Sequence, residues 1–194
     1  MALFPDDIIA LAERVVTENR ERGRTVAVAE SCTGGLVGAA LTEIVGSSDV
    51  VDRGFITYSN EAKMELLDVH LDLLETFGAV SIATAWAMAQ GVLEKSKADI
   101  AVAVTGIAGP GGGTEQKPVG TVVFARAIRG ADPEAVVADS RLFESDDRTE
   151  IRLQAVRVAL GLLLPGAEPS SAPDDAEVAE AADAAASARE DPAP

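Results

Sequence analysis

The residue types that build most protein metal centres are nearly missing from this chain, which has one cysteine, Cys32, and one histidine, His70, among 194 residues. An intramolecular disulfide is therefore excluded, and no Cys/His cluster of the zinc type can be assembled. Acids are plentiful but form no tight cluster along the chain, so neither a metal nor another cofactor is expected. No apolar run approaches the roughly 18 residues that span a bilayer. The first residues, MALFPDDIIALAERV, carry acids where a signal peptide carries lysine and arginine. The expectation is a cytoplasmic protein with no membrane partner. Basic residues are also scarce: 16 Lys and Arg face 32 Asp and Glu, for a formal net charge of -16. That balance opposes attraction to a polyanion and argues against nucleic acid as a partner.

Much of the negative charge is concentrated at one end. From Gly166 the sequence reads GAEPSSAPDDAEVAEAADAAASAREDPAP, with eight acids, Arg189 as its one base, one valine and no aromatic. Such a segment cannot bury enough apolar surface to offset the entropy of ordering. Residues 166–194 are read as a disordered acidic tail, and 1–165 as one domain with a single core.

Within that domain, apolar periodicity alternates between helix and strand. A helix is predicted from Asp6 or Asp7, acting as cap, to about Arg22, followed by a buried strand TVAVAE and a helix from Thr33 to Val45. VVDRGFITYS reads as a second strand. Asn60 is placed as the cap of a short helix, LDLLETFG forms another, and Ser81 caps a longer one. ADIAVAVTG has the continuous apolar character of a fully buried strand. VGTVVFARA and VVADSRLF read as an antiparallel hairpin, and a last helix starts at Asp146 or Asp147 and is closed by Pro165 and Gly166. Strands interleaved with helices predict a three-layer α/β/α sandwich with a mixed, mostly parallel sheet.

Three strand ends finish in polar or glycine-rich sequence: AESCTGG, ITYSNEAK and AVTGIAGPGGG. Ligands in open α/β sheets bind where the carboxyl ends of strands gather. Glycines also simply make turns, so the convergence reads either as a small-molecule site or as turns alone.

Ser31 ends the first strand beside a turn containing Gly34 and Gly35, and a serine nucleophile needs a base. The available bases are His70 and four lysines. His70, in LLDVHLDLL, reads as a solvent-facing residue rather than a triad member, and Lys95 and Lys97 suit a helix C-terminus. Lys117 belongs to GPGGGTEQKP, which fails the phosphate-loop pattern although the lysine is free to meet an anion. Lys63, one turn into the helix after Tyr58, remains. It acts as a base near neutral pH only if burial or a nearby cation lowers its pKa from about 10.4. Cys32 is the rival nucleophile, but strand alternation puts Ser31 and Cys32 on opposite sides, which favours a buried structural thiol. Thr105 is either a substrate contact or a strand residue. Arg148 either holds a phosphate or pairs with neighbouring acids.

Taken together and in this order, AESCTGG, GSS, GFITYSNEAK, GAVS, VTGIAGPGGG and KPVGTVVFA closely resemble the CinA C-terminal domain family over about residues 6 to 164. The larger N-terminal domain to which this unit is fused in some relatives has no counterpart in the sequence. Stand-alone members of the family are nicotinamide-nucleotide amidohydrolases. The resemblance implies hydrolysis of the carboxamide of nicotinamide mononucleotide to nicotinic acid mononucleotide and ammonia, without metal, by a protein that forms a homodimer. It further implies Ser31 as nucleophile, Lys63 as general base and Tyr58 as a supporting residue. Cys32, Thr33, Gly34 and Gly35 would surround the reacting carbonyl and supply free backbone amides to it. Thr105, Gly106, Gly109 and Gly111 would line the substrate, with Arg148 near its phosphate. Relatives resemble a GDR sequence where this chain has Asp146-Asp147-Arg148, so an additional carboxylate stands next to that arginine. The competing reading is a non-catalytic nucleotide-binding or interaction protein linked to competence or DNA processing, for which an intact Ser31, Tyr58 and Lys63 would have no use.

Overall fold

A computed structural model describes residues 3–132 and 136–167. Its elements run α1 (Asp6–Glu21), β1 (Val26–Glu30), α2 (Leu36–Thr42), a 3-10 turn (Ser47–Asp49), β2 (Val51–Ile56), α3 (Asn60–Leu67), α4 (Leu71–Phe77), α5 (Ile82–Lys95), β3 (Ile100–Gly106), β4 (Thr121–Ile128), β5 (Val137–Leu142) and α6 (Arg148–Leu163). The strands form one sheet in the order β2-β1-β3-β4-β5. β1 pairs in parallel with both β2 and β3, while β3 with β4 and β4 with β5 are antiparallel. The α/β architecture and the hairpin agree with the sequence expectation. The sheet is evenly mixed rather than mostly parallel, because the chain needs no crossover after β3.

Side-chain alternation on the strands divides the interior. Val26, Val28, Ile100, Val102 and Val104 point to the layer of α1, α2 and α6. Ala27, Ala29, Ala101 and Ala103 point to the other layer, which contains α5, and meet Ala85, Met88 and Ala89 there. Small residues on this face let α5 lie close to the sheet. A similar closeness fixes α3, the carrier of Lys63, against α5: a Cβ at Gly91 would collide with the Leu67 carbonyl.

Several boundaries differ from the sequence reading for local reasons. α1 is preceded by Pro5 with no side-chain cap, and Asp7 instead binds Arg157 of α6. α3 is capped by Ser59, whose hydroxyl accepts from the Ala62 amide, not by Asn60, which is already helical. α2 is shorter than predicted because Gly34 and Gly35 both take positive φ and keep the chain out of the helix until Leu36. Ser81 and Asp147 do cap α5 and α6, as expected. Arg126 donates to the Ala167 carbonyl just past α6, and the remaining predicted tail, from residue 168, lies outside the described residues.

Candidate active site

The parallel strands β1, β2 and β3 present their carboxyl ends side by side. Glu30 is level with both Ile56 and Val104, the Ser31 amide donates to the Val104 carbonyl, and the Thr57 amide donates to the Glu30 carbonyl. The three unusual strand ends therefore meet at one edge.

Ser31 continues the alternation of Ala27 and Ala29 and faces the α3 side, whereas Cys32 joins the apolar cluster of α1, α2 and α6. Lys63 is only 1% exposed, and its Nζ stands 3.2 Å from Ser31 Oγ, 2.9 Å from the Thr57 carbonyl and 3.5 Å from the Tyr58 carbonyl. Burial pushes its pKa down, against smaller opposing contributions from Cys32 and Glu61. No ion pair joins Lys63 to a carboxylate among the described residues. A neutral lysine has two N–H donors and one lone pair. Two carbonyls placed to accept the donors leave the lone pair for the Ser31 hydroxyl. Cys32 is the opposite case, with burial pushing its thiol up to about 11. A thiol in that state is a poor nucleophile.

The turn after β1 is held by two residues that sequence reasoning did not single out. Glu30, buried on the α2 side, accepts the amides of Gly35, Val37 and Gly38 at 3.0, 3.1 and 2.8 Å. Arg152 donates from Nε to the Cys32 carbonyl at 3.1 Å and from Nη2 to the Thr33 carbonyl at 2.8 Å. The expected set of free amides is thereby reduced. Gly35 is taken by Glu30 and Gly34 donates to the Ser31 carbonyl, the Cys32 amide lies against its own thiol, and the amide of the fully buried Thr33 meets no acceptor among the described residues. The signals were faint: a charge ending an apolar strand, and an arginine one helical turn after Arg148.

Tyr58 is 63% exposed and reaches Lys63 through its main-chain carbonyl rather than its hydroxyl. The hydroxyl accepts from Arg148 Nη2 at 3.3 Å, and Arg148 Nη1 donates to the Gly109 carbonyl at 2.6 Å. Arg148 thus joins the end of β2 to the glycine-rich loop instead of pairing with acids. Asp146 is exposed and makes no ion pair with it. Thr105 is buried and donates to the Ala79 carbonyl at 2.7 Å. Gly106 has no room for a Cβ beside Thr121 and Val122, and Gly109, at φ +73, sits against Val119, whereas Gly111 is open. Lys117 closes α4 by donating to the Phe77 carbonyl, and the half-exposed His70 pairs with Asp72. Neither reaches Ser31. A separate open cleft of ≈ 510 Å³ between α1 and the segment that follows α2, lined by Ile9, Val16, Arg20 and Ile44 among others, contains none of these groups.

No described helix is long and apolar enough to cross a membrane. The family model described as the CinA C-terminal domain matches residues 8–165. A CinA-like protein of Chlorobaculum tepidum is 49% identical over 157 residues, which is 80% of this chain and 37% of that protein. One from Mycobacterium avium is 52% identical over 143 residues, 73% of this chain and 32% of the relative. The chain thus spans well under half the length of the curated relatives it matches. Among solved structures, the competence/damage inducible protein CihA from Agrobacterium tumefaciens superposes with a TM-score of 0.81 at 54% identity, covering 84% of this chain and 97% of that one. A competence-damaged protein (CinA) superfamily protein from Escherichia coli gives 0.76 at 34% identity, with 84% and 92% covered.

Proposed function

The chain belongs to the CinA C-terminal domain family, and from that premise we propose that it is an amidohydrolase that hydrolyses the carboxamide of nicotinamide mononucleotide through an acyl-serine. The observation that carries this reading is the buried Lys63 amine 3.2 Å from Ser31 Oγ, with main-chain carbonyls as its other partners.

Neutral Lys63 takes the Ser31 proton as Oγ attacks the carboxamide carbon. The carbonyl oxygen becomes an oxyanion that main-chain N–H donors of the turn after Ser31 would stabilise, a donor of this kind being worth about 3 kcal/mol. The protonated Lys63 returns its proton to the departing nitrogen, the C–N bond breaks and ammonia leaves. Water, deprotonated by the same amine, then adds to the acyl-serine and releases nicotinic acid mononucleotide with Ser31 restored. Arg148 uses two of its five N–H donors on Gly109 and Tyr58, which leaves others for the substrate phosphate.

The test is ammonia release from nicotinamide mononucleotide, nicotinamide riboside and free nicotinamide, with Ser31→Ala as control. Preference for the phosphorylated compound and a silent control support the proposal. Turnover by Ser31→Ala equal to wild type defeats it.

A further inference from the structure

The resemblance makes Thr105 a substrate contact, but the residue is 1% exposed and its Oγ1 donates to the Ala79 carbonyl at 2.7 Å. What Thr105 holds is nevertheless next to the site. Glu30 and Val104 are register partners and the Ser31 amide donates to the Val104 carbonyl. Ser31 and Thr105 are therefore the next residues along adjacent strands, which in a sheet run about 4.8 Å apart. Both side chains face the α3/α5 layer, Ser31 toward Lys63 of α3 and Thr105 toward Ala79 at the approach to α5.

Ser31 is thus flanked on two sides. Thr57, Tyr58 and Lys63 stand on the β2 side, and the connection between α4 and α5 stands on the β3 side. Gly78, Ala79 and Val80 of that connection are partly exposed, whereas Ser81, the cap of α5, is buried. Three consecutive carbonyls there accept from side chains of three different segments. Phe77 takes Lys117 Nζ of the glycine-rich loop at 2.8 Å, Gly78 takes Thr84 Oγ1 of α5 at 2.7 Å, and Ala79 takes Thr105 Oγ1 of β3. Connections between helices are ordinarily solvated and mobile. One that is fixed at three successive residues suits a surface that must hold a substrate group in one place.

We propose that residues 78–80 form the β3-side wall of the pocket that receives the ring of the substrate's acyl group, and that Thr105 is the positioning residue that sets this wall. The inference rests on the Ser31/Lys63 reading but not on the identity of the nucleotide. Its test is accordingly made with the full chain and two sulfonyl fluorides, phenylmethanesulfonyl fluoride, which carries a ring, and methanesulfonyl fluoride, which does not. With either probe Ser31 Oγ bonds to sulfur as the S–F bond breaks, the hydroxyl proton passes to Lys63 Nζ and fluoride leaves.

Thr105→Val keeps the shape of the side chain and removes the donor. Labelling of Ser31, followed by mass spectrometry, is expected to be about tenfold slower with the ring probe, on the scale of one lost hydrogen bond, and to stay within about threefold with the other. Deuterium uptake over residues 77–85 should rise in the same variant, and Thr105→Ser should restore most of both values. With nicotinamide mononucleotide the loss should appear in KM. Equal slowing of the two probes overturns the inference, as does faster uptake with unchanged labelling. Slowing with unchanged uptake also overturns it, because Thr105 would then touch the probe directly. If Thr105→Val does not fold, Lys117→Met, which frees the Phe77 carbonyl, decides by the same two readouts. The expected pattern in a chain that releases no ammonia from nicotinamide mononucleotide supports the inference and removes the substrate assignment alone, and absence of Ser31 labelling in the wild type by either probe removes both.

Discussion

Lys63 Nζ and Ser31 Oγ lie 3.2 Å apart, although they come from different elements on either side of β2 and are 32 positions apart in the chain. In the proposed mechanism each depends on the other for its chemistry. Ser31→Ala and Lys63→Met are expected to keep the wild-type circular dichroism and to lower kcat for ammonia release by about 10²–10⁴-fold, the range for loss of a general base or more. Stopped-time ammonia assays check this, and a Lys63→Met enzyme within threefold of wild type would remove the lysine from the mechanism.

Burial of the same amine gives the protein a characteristic pH dependence. The Lys63 pKa is lowered in the folded state, so between that value and the unfolded 10.5 the unfolded chain binds more protons. This contribution is fully present above 10.5, is lost as pH falls through that window, and stays lost below the folded value. Lys63→Met should therefore be at least as stable as wild type at neutral pH, and should lose the part of the alkaline rise in stability due to Lys63. Urea midpoints at neutral and alkaline pH measure it. The rate of Ser31 acylation should rise over the acid part of the same window, as the amine becomes neutral.

Glu30→Ala leaves the Gly35, Val37 and Gly38 amides without their acceptor. The Val37 amide is buried and the other two partly so; an unsatisfied buried donor costs about 1–3 kcal/mol, so a destabilisation of about 2 kcal/mol or more is expected. Glu30→Gln, with one oxygen for three amides, should fall between. Chemical denaturation gives both values, and an unchanged midpoint for Glu30→Ala would contradict the arrangement.

The Cys32 thiol, held up at about 11 and 5% exposed, should not react with iodoacetamide at pH 8 in the native protein, and should react fully once urea unfolds it. Rapid native alkylation would show that the turn opens far more readily than its tethers suggest.

Arg148→Ala cuts the link between Tyr58 and Gly109 and removes the proposed phosphate contact. KM for nicotinamide mononucleotide should rise about tenfold, on the scale of a lost charged hydrogen bond, while that for the riboside changes little. Equal effects on both substrates would make the arginine a loop tie alone.

The sequence by itself determined the order of helices and strands, because apolar periodicity and caps such as Ser81 and Asp147 act within one or two turns of chain. It also determined that Ser31 and Cys32 face opposite layers, since alternation is a property of the strand itself. Counting bases pointed to Lys63, but whether that amine is buried and what surrounds it depends on α3 seating against α5. Only the tertiary structure decided which amides of the turn are free. Glu30 takes its partners by folding back on the chain that follows it, and Arg152 reaches the turn from 119 positions away. Arg148 was expected to find either a phosphate or the acids beside it. In place of those acids it meets Gly109 and Tyr58, because hydrogen bonds between distant segments are set by how the layers pack and leave no local pattern to read.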